Sequence, residues 1–264
     1  LQKAGAGFPV HDRLPVRLMR VHPEGGKTLK LVMVHGSNHR GNTWHFADLF
    51  REVLARRCPL ETQEFFLPRD MPELCLGCFS CFVNGEHTCP HAAKVAPIAE
   101  ATAEADLVVL TSPVYALDVS GSMKTMLDHL CYRWIVHRPD PRMFGKIGLT
   151  VSTTAGAGLG GATKAMRNSL RFWGVRHAFS MKLAVAAIGW NEVSEKNRMR
   201  MQRQAEKAAD RVLRAAHRRF GSPVRRIAFL GIRSAMQKGA WNERDREHWK
   251  EKGWLKGVNP FRNA

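Results

Sequence analysis

A short apolar strand, a polar loop and an amphipathic helix follow one another between Leu31 and Leu54, and they constrain the fold more than any other stretch. Residues 31–34 are all apolar, as in a strand that a parallel sheet buries on both faces. Residues 36–43 form a loop with two glycines, and apolar residues then recur at helical spacing from Trp44 onward. This order directs backbone N–H groups and the positive end of a helix dipole to one point. We therefore predict an anion site in the loop, most often for a phosphate.

The same alternation of strands and helices continues along the chain. Further strands are predicted at 61–67, 106–111, 146–152 and 178–187, with helices at 44–54, 93–105, 121–134, 163–173 and 193–220. Such a pattern predicts an α/β fold with a doubly wound, five-stranded parallel sheet covered on both faces. Ligands of open parallel sheets bind outside the carboxyl ends of the strands. Three strands end in loops that suit a ligand, at 36–43, 112–116 and 153–161.

Three segments are predicted from the distribution of glycine, proline and aromatic residues. They are an irregular N-terminal arm over 1–29, a central domain over 30–220 and a C-terminal extension over 221–264. The arm contains one short predicted strand, 16–21. The extension is rich in aromatic residues, which are Phe229, Trp241, Trp249, Trp254 and Phe261. We therefore expect it to pack on the core or on a partner subunit.

Composition restricts the functional class only broadly. The chain has 264 residues and a formal charge of +18. A solvated basic surface explains this charge, and so does docking to an acidic partner. Nucleic acid is a weaker alternative, because we recognise no nucleic-acid-binding motif. With no apolar run long enough for a membrane span and no recognisable secretion signal, we expect a cytoplasmic protein.

The first loop differs from the familiar nucleotide-binding motifs. It has neither the Gly-Lys-Ser/Thr of a Walker A motif nor the Gly-x-Gly-x-x-Gly of a dinucleotide site. Instead it offers Ser37, Asn42 and Thr43 together with Arg40. Neutral donors of this kind suit the single phosphate of flavin mononucleotide (FMN). The alternative is an ordinary connection between a strand and a helix.

Four of the six cysteines lie within fifteen positions, in the segment 70–92. Their pattern is Cys-x2-Cys-x2-Cys-x7-Cys-Pro, formed by Cys75, Cys78, Cys81 and Cys89. The spacing favours a 4Fe–4S cluster, since three thiolates can wrap one corner and the fourth can close the site. Zinc, with His87 and His91 as spare ligands, and free or redox-active thiols are the alternatives. Cys58 and Cys131 are predicted to be buried small residues.

Three motifs in order give the sequence a family resemblance: Gly36-Ser37-x-x-Arg40-Gly41-Asn42-Thr43, Ser112-Pro113-Val114-Tyr115 and Met123-Lys124-x-x-Leu127-Asp128. Together they resemble the flavodoxin-like NADPH-dependent FMN reductases from about residue 30 to 215. The cysteine segment is similar to that of the iron–sulfur flavoprotein branch. The sequence departs from the usual family pattern at Asn38 and His39, which leaves Arg40 as the predicted cation.

The resemblance implies a flavodoxin-like sheet that holds FMN, often in a homodimer or homotetramer. The phosphate would be held by Ser37, Arg40, Asn42 and Thr43. The flavin ring would lie along Pro113, Val114 and Tyr115, and its pyrimidine edge would meet Thr153, Thr154 and Gly156. No side chain is predicted to be catalytic, because Lys124 and Asp128 are expected only to pair on a helix surface.

These observations predict an FMN-dependent oxidoreductase that carries a 4Fe–4S cluster. Electrons would pass from NAD(P)H or reduced ferredoxin, an acidic protein that suits the basic surface, to a small acceptor. A second hypothesis is an NAD(P)H-dependent FMN or quinone reductase without a cluster. A remote third is a non-catalytic flavin-binding module that associates with nucleic acid.

Overall fold

Residues 28–217, 223–239 and 242–261 are described by the computed structural model, and five of their strands form one parallel sheet. The strands are β1 (Leu29–His35), β2 (Leu60–Phe66), β3 (Leu107–Thr111), β4 (Val114–Tyr115), β5 (Asp118–Val119), β6 (Ile147–Thr154) and β7 (His177–Ala184). The order in the main sheet is β2-β1-β3-β6-β7, with all neighbours parallel. Short β4 and β5 pair as an antiparallel hairpin beyond the end of β3. The predicted five-stranded parallel sheet is confirmed.

Helices cover both faces of this sheet. They are α1 (Asn42–Ala55), α2 (Ser80–Val83), α3 (Ala92–Glu104), α4 (Gly121–His129), α5 (Leu159–Phe172), α6 (Glu195–Ala216), α7 (Pro223–Lys238) and α8 (Glu243–Glu251). Alternate residues of β1 point to opposite faces, as the period of a strand requires. Leu31 and Met33 pack in the core that contains α1 and α6, whereas Val32 and Val34 pack in the core beneath α3, α4 and α5.

Three predicted elements end at least three residues earlier than the sequence indicates, and one of them is the helix predicted over 193–220, which ends at Ala216. The helix predicted over 121–134 stops at His129, and Cys131–Arg133 forms a separate 3-10 turn. The turn lets the buried Arg133 donate from Nη1 to the carbonyl of Ala99 at 2.9 Å. The strand predicted over 178–187 ends at Ala184, and Ala186 has a left-handed backbone with φ of 50°. The strand predicted at 16–21 lies outside the described residues.

The C-terminal extension forms a third hydrophobic cluster with the core. The buried members are Ile135, Phe144, Phe229, Met236, Trp249, Trp254 and Phe261. The ring of Phe144, which belongs to the central domain, lies 6.1 Å from that of Phe229 and 5.2 Å from that of Phe261 between centroids. The predicted aromatic Trp241 lies outside the described residues. Among the described helices, none has the length and apolar character needed to cross a membrane.

Candidate functional site

Hydrogen bonds tie Gly36, at the start of the first loop, to Thr111 and Ser120, which lie before and after the second loop. Its N–H donates to the carbonyl of Thr111 at 2.7 Å, and its carbonyl accepts from Oγ of Ser120 at 2.5 Å. A Cβ at Gly36 would lie 2.7 Å from that same Ser120 oxygen, so only glycine fits without displacement. Ser120 also caps α4, where its Oγ accepts from the N–H of Met123. The end of β1 is therefore fixed against the start of α4.

The third loop is joined to both others through buried hydroxyl groups. Thr43 and Thr153 hydrogen-bond through their Oγ1 atoms at 2.6 Å, and both are nearly inaccessible to solvent. Oγ of Ser152 donates to the carbonyl of Ser112 at 2.7 Å. Because the three loops share these contacts, the structure brings all three predicted segments to one sheet edge.

The β4–β5 hairpin packs closely against Gly158 of the third loop. Ala116 and Leu117, at the hairpin tip, have φ values of 49° and 67°, as in a type I′ turn. A Cβ at Gly158 would lie 2.6 Å from Cγ1 of Val114 and 2.7 Å from Cα of Leu117. The hairpin that carries Pro113, Val114 and Tyr115 is thus held in place, with Tyr115 half exposed beside the edge.

The predicted phosphate ligands differ in what they contact. Oγ of Ser37 is 2.8 Å from Nδ1 of His39, at the exposed tip of the loop. The guanidinium carbon of Arg40 lies 4.8 Å from the centroid of the Trp44 ring. Nδ2 of Asn42 donates to the carbonyl of Ala187 at 3.0 Å. Arg40 therefore rests on an aromatic face, and Asn42 ties the loop to the segment that follows β7.

Sequence reasoning missed a polar network behind this loop. His35, buried at the end of β1, bonds through Nδ1 to Oγ1 of Thr111 at 3.0 Å and through Nε2 to Oε1 of Glu64 at 2.9 Å. The same Oε1 accepts from Nε1 of Trp44 at 3.3 Å. The His35 hydrogen bond is the main reason that the pKa of Glu64 is lowered. The network fixes the ring of Trp44, on which Arg40 rests, and a histidine within an apolar strand gives no pattern that predicts it.

All four predicted cysteine ligands line one cavity of about 160 Å³. Cys75 and Cys78 are exposed, while Cys81 and Cys89 are half-buried. Among its other lining residues, three lie on or just after α4: Asp128, His129 and Cys131. Cys131, predicted to be only a buried small residue, therefore belongs to the wall of the same cavity.

Burial and the neighbouring sulfur atoms disfavour the thiolate forms of Cys81 and Cys131. The pKa of Cys81 is raised to about 11, mainly by burial and then by the charges of Cys89 and Cys75. Burial is also the main cause that raises the pKa of Cys131 to about 12. Thiolates in such a group are stabilised when a cation is bound between them.

Two histidines lie beside Cys89. Nδ1 of His91 is 3.1 Å from Nε2 of His129, and the ligand atoms of Cys89, His91 and His129 lie within 4.8 Å of one another. His129 is oriented by a 2.9 Å bond between its Nδ1 and the carbonyl of Thr125. A mononuclear metal would thus find three donors here. The other predicted spare ligand, His87, is not part of this group.

The family model of the NADPH-dependent FMN reductases matches residues 29–189 of this sequence. The chain belongs to that family. An iron–sulfur flavoprotein from Archaeoglobus fulgidus is 28% identical over 149 residues, which cover 56% of this chain and 64% of that relative. The family predicted from the three motifs is confirmed, and the name of the relative agrees with the predicted branch.

Solved structures agree with the fold of this FMN reductase family member. An FMN-dependent NADH-azoreductase from Bacillus anthracis, in complex with FMN, is 14% identical, with a TM-score of 0.53 over 70% of this chain and 99% of that one. An azoreductase from the same species is 16% identical, with a TM-score of 0.54 over 69% of this chain and 99% of that one. At such low identity the likeness establishes the fold alone.

The described residues of the family member fit FMN at the sheet edge. Gly41 occupies the N-cap position of α1, so no side chain caps this helix in the described structure, and the first turn contains no acidic residue. Oδ1 of Asn42 is buried and has no hydrogen-bond partner among the described residues, and as an acceptor it suits a hydroxyl group of the flavin's ribityl chain and not the phosphate. An uncapped helix start suits an anion, because its N–H groups and dipole favour negative charge.

Proposed function

We propose that this protein is a cytoplasmic, FMN-dependent oxidoreductase that carries a 4Fe–4S cluster on Cys75, Cys78, Cys81 and Cys89. Electrons would come from NAD(P)H or reduced ferredoxin and pass to a small acceptor, in a homodimer or homotetramer. The observation that supports this proposal is that one chain combines two candidate sites. One is the sheet edge where three loops are joined, and the other is the cavity lined by four cysteines.

The residues at the sheet edge would bind and orient the flavin. The α1 terminus and Arg40 would hold the phosphate, and the hairpin would place its Val114 and Tyr115 backbone along the ring. Thr153 and Thr154 would face the pyrimidine edge, with Thr153 held by Thr43. Bound FMN supplies two-electron and one-electron chemistry, and a bound cluster supplies one-electron transfer. The protein contributes position and a shielded environment.

Helix α4 connects the two proposed sites. Ser120 at its start bonds Gly36, and Asp128 and His129 at its end line the cysteine cavity. Nine helical residues span about 13 Å, since each adds about 1.5 Å. A single short helix therefore connects the sheet edge proposed to bind flavin with the cavity proposed to bind the cluster, within one subunit.

The test is a metal and flavin analysis of the full chain purified without oxygen. We expect FMN together with iron and acid-labile sulfide in the equal ratio of a 4Fe–4S cluster, and absorption from both groups that dithionite bleaches. Protein that binds no flavin would contradict the FMN site. Protein with flavin but without iron, even after reconstitution, would contradict the cluster.

Cys78→Ser provides the sharper test, with Cys58→Ser as its matched control. Cys78 lines the cavity, whereas Cys58 lies outside it and donates weakly to the carbonyl of Leu54 at 3.6 Å. We expect the Cys78 variant to lose iron and keep FMN, and the Cys58 variant to keep both. Equal iron content in the two variants would remove Cys78 from the ligand set.

A mononuclear zinc site is the second candidate, since the described structure groups Cys89, His91 and His129. A reductase of this type would reduce flavin or quinones without a cluster. His129→Gln separates the two candidates, because it removes a zinc donor but no cysteine. Loss of stoichiometric zinc in this variant would favour the zinc site, and unchanged iron would favour the cluster.

A further inference from the structure

The C-terminal extension presents a buried carboxylate to residues 137 and 138 of the central domain. Asp245, in the first turn of α8, is fully buried. Its Oδ1 accepts from Nη1 of Arg138 at 2.6 Å. Its Oδ2 accepts from Nδ1 of His137 and from Nδ2 of Asn242, each at 2.9 Å. Both carboxylate oxygens are thus used, and two of their three donors belong to the central domain.

Arg138 also donates hydrogen bonds to the backbone of the cysteine segment. The same Nη1 donates to the carbonyl of Phe82 at 3.1 Å, and Nη2 donates to the carbonyl of Cys81. The ring of Phe82 also meets that of His137 edge-on, with centroids 4.7 Å apart. Cys81 lines the cavity, so one guanidinium joins the backbone of a proposed ligand to a carboxylate 164 positions later in the chain.

Two more bonds hold residues 137–139 against α8. Nε1 of Trp249 donates to the carbonyl of His137 at 2.7 Å. Nε2 of His248 lies 3.1 Å from the carbonyl of Pro139. The segment is therefore fixed by the extension on one side and bonds the cysteine segment on the other.

A role in stability alone accounts poorly for this charged pair. Buried ion pairs are often no more stabilising than apolar residues of similar volume, because both charges lose their hydration. The extension also has a separate anchor that does not involve the cysteines. There, Nη1 of Arg225 donates to the carbonyls of Phe144 and Gly174 at 2.7 and 2.9 Å.

We propose that the Asp245–Arg138 pair is a positioning device for the metal site, through which the C-terminal extension fixes the backbone of Cys81 and Phe82. The metal-retention part of this inference rests on the proposed function, whereas the fixation of Cys81 does not. Partners of metal ligands in the second layer typically alter metal affinity about 10–100-fold when they are removed.

The test compares three full-length variants with the wild type. Asp245→Asn removes the carboxylate charge. Arg138→Lys keeps the positive charge but cannot bond both carbonyls and the carboxylate in the same geometry. Arg225→Lys is the matched control, because it weakens the separate anchor of the extension.

Each variant is measured in two forms, the reconstituted holoprotein and the metal-free protein. In the reconstituted holoprotein, iron loss to a chelator and the reduction potential of the cluster are followed. We expect iron loss to be about tenfold faster or more in Asp245→Asn, and the potential to rise because a negative charge has gone. In the metal-free protein, the alkylation rate of Cys81 is compared with that of Cys58 by mass spectrometry. We expect Cys81 alone to react faster in Asp245→Asn and in Arg138→Lys.

The outcomes separate the two proposals. Wild type that never holds iron would contradict the cluster, and the alkylation of Cys81 would still decide whether the pair positions it. Unchanged Cys81 reactivity in both variants would overturn the positioning role, as would an equal increase in Arg225→Lys. If Asp245→Asn fails to fold, Arg138→Lys carries the same test.

Discussion

Replacing Gly36 by alanine tests whether the joined loops create the flavin site. The new Cβ would lie 2.7 Å from Oγ of Ser120, 2.9 Å from Cβ of Met123 and 3.0 Å from the carbonyl oxygen of Thr111. The last of these atoms belongs to the backbone of β3 and cannot rotate away. We expect the first loop to move outward, away from β3 and the start of α4.

The cost follows from the contacts that this movement strains. Inserting a methyl group into a close-packed site typically costs about 1–3 kcal/mol. Each kcal/mol lowers Tm by about 2–4 °C in a domain of about this size, which gives a fall of about 2–12 °C. The hydrogen bond from Ser120 to the Gly36 carbonyl weakens as well, and with it the cap of α4.

Flavin binding gives the decisive measurement. Because the phosphate is expected to meet the same loop, the alanine variant should bind FMN at least about tenfold more weakly, or about 1.4 kcal/mol. Quenching of FMN fluorescence measures the affinity, and urea unfolding measures the stability of the apoprotein. Gly231→Ala is the control, since this glycine lies in α7, outside the three loops, and its Cβ would meet nothing within 4 Å. A Gly36 variant with the stability and FMN affinity of Gly231→Ala would refute the reasoning.

Two further predictions concern the polar groups around this edge. Thr43→Val leaves the buried hydroxyl of Thr153 without its 2.6 Å partner, so unfolding should become easier by about 1–3 kcal/mol in urea titrations, and an unchanged midpoint would contradict this. The pKa of Glu64 is lowered mainly by its hydrogen bond from His35, so this bond stabilises the folded state fully at pH values above 4.5, the ordinary pKa of a glutamate. This contribution is lost as the pH falls through the lowered pKa. The unfolding free energy of Glu64→Gln should accordingly depend less steeply on acid pH than that of the wild type; parallel pH profiles would show that the bond contributes nothing.

The sheet and its order of elements could be predicted because they depend on local patterns. Four consecutive apolar residues in β1 and four in β3 are buried almost completely, as their composition indicates. The three loops could be placed at one edge because parallel strands all end on the same side. Neither inference needs knowledge of a distant contact.

The remaining features depend on single side chains that meet across long stretches of sequence. Cys131 lines the cysteine cavity from the 3-10 turn that follows α4. Asp245 and Arg138 are 107 positions apart, and neither belongs to a motif. Asn42 stays a predicted phosphate ligand, and the bonds from its Nδ2 to the carbonyls of Ala187 and Ile188 could not be predicted from the loop. Such pairings leave no periodic signal, so only coordinates show them.

The short helix α4 explains why the two proposed sites would respond to one another. Its first turn is fixed to the flavin edge by Ser120, and its last residue, His129, bonds His91 beside Cys89. Between these ends, Met123 and Met126 are fully buried in the core that also contains Phe82. Close-packed interiors transmit displacement because they contain few voids. A shift of the first loop would therefore reach the cysteine cavity along α4, whereas the Asp245–Arg138 pair contacts the wall of that cavity through the backbone of Cys81. On this reasoning, Gly36→Ala should disturb iron retention as well as FMN affinity, and Asp245→Asn should disturb iron retention with little effect on FMN.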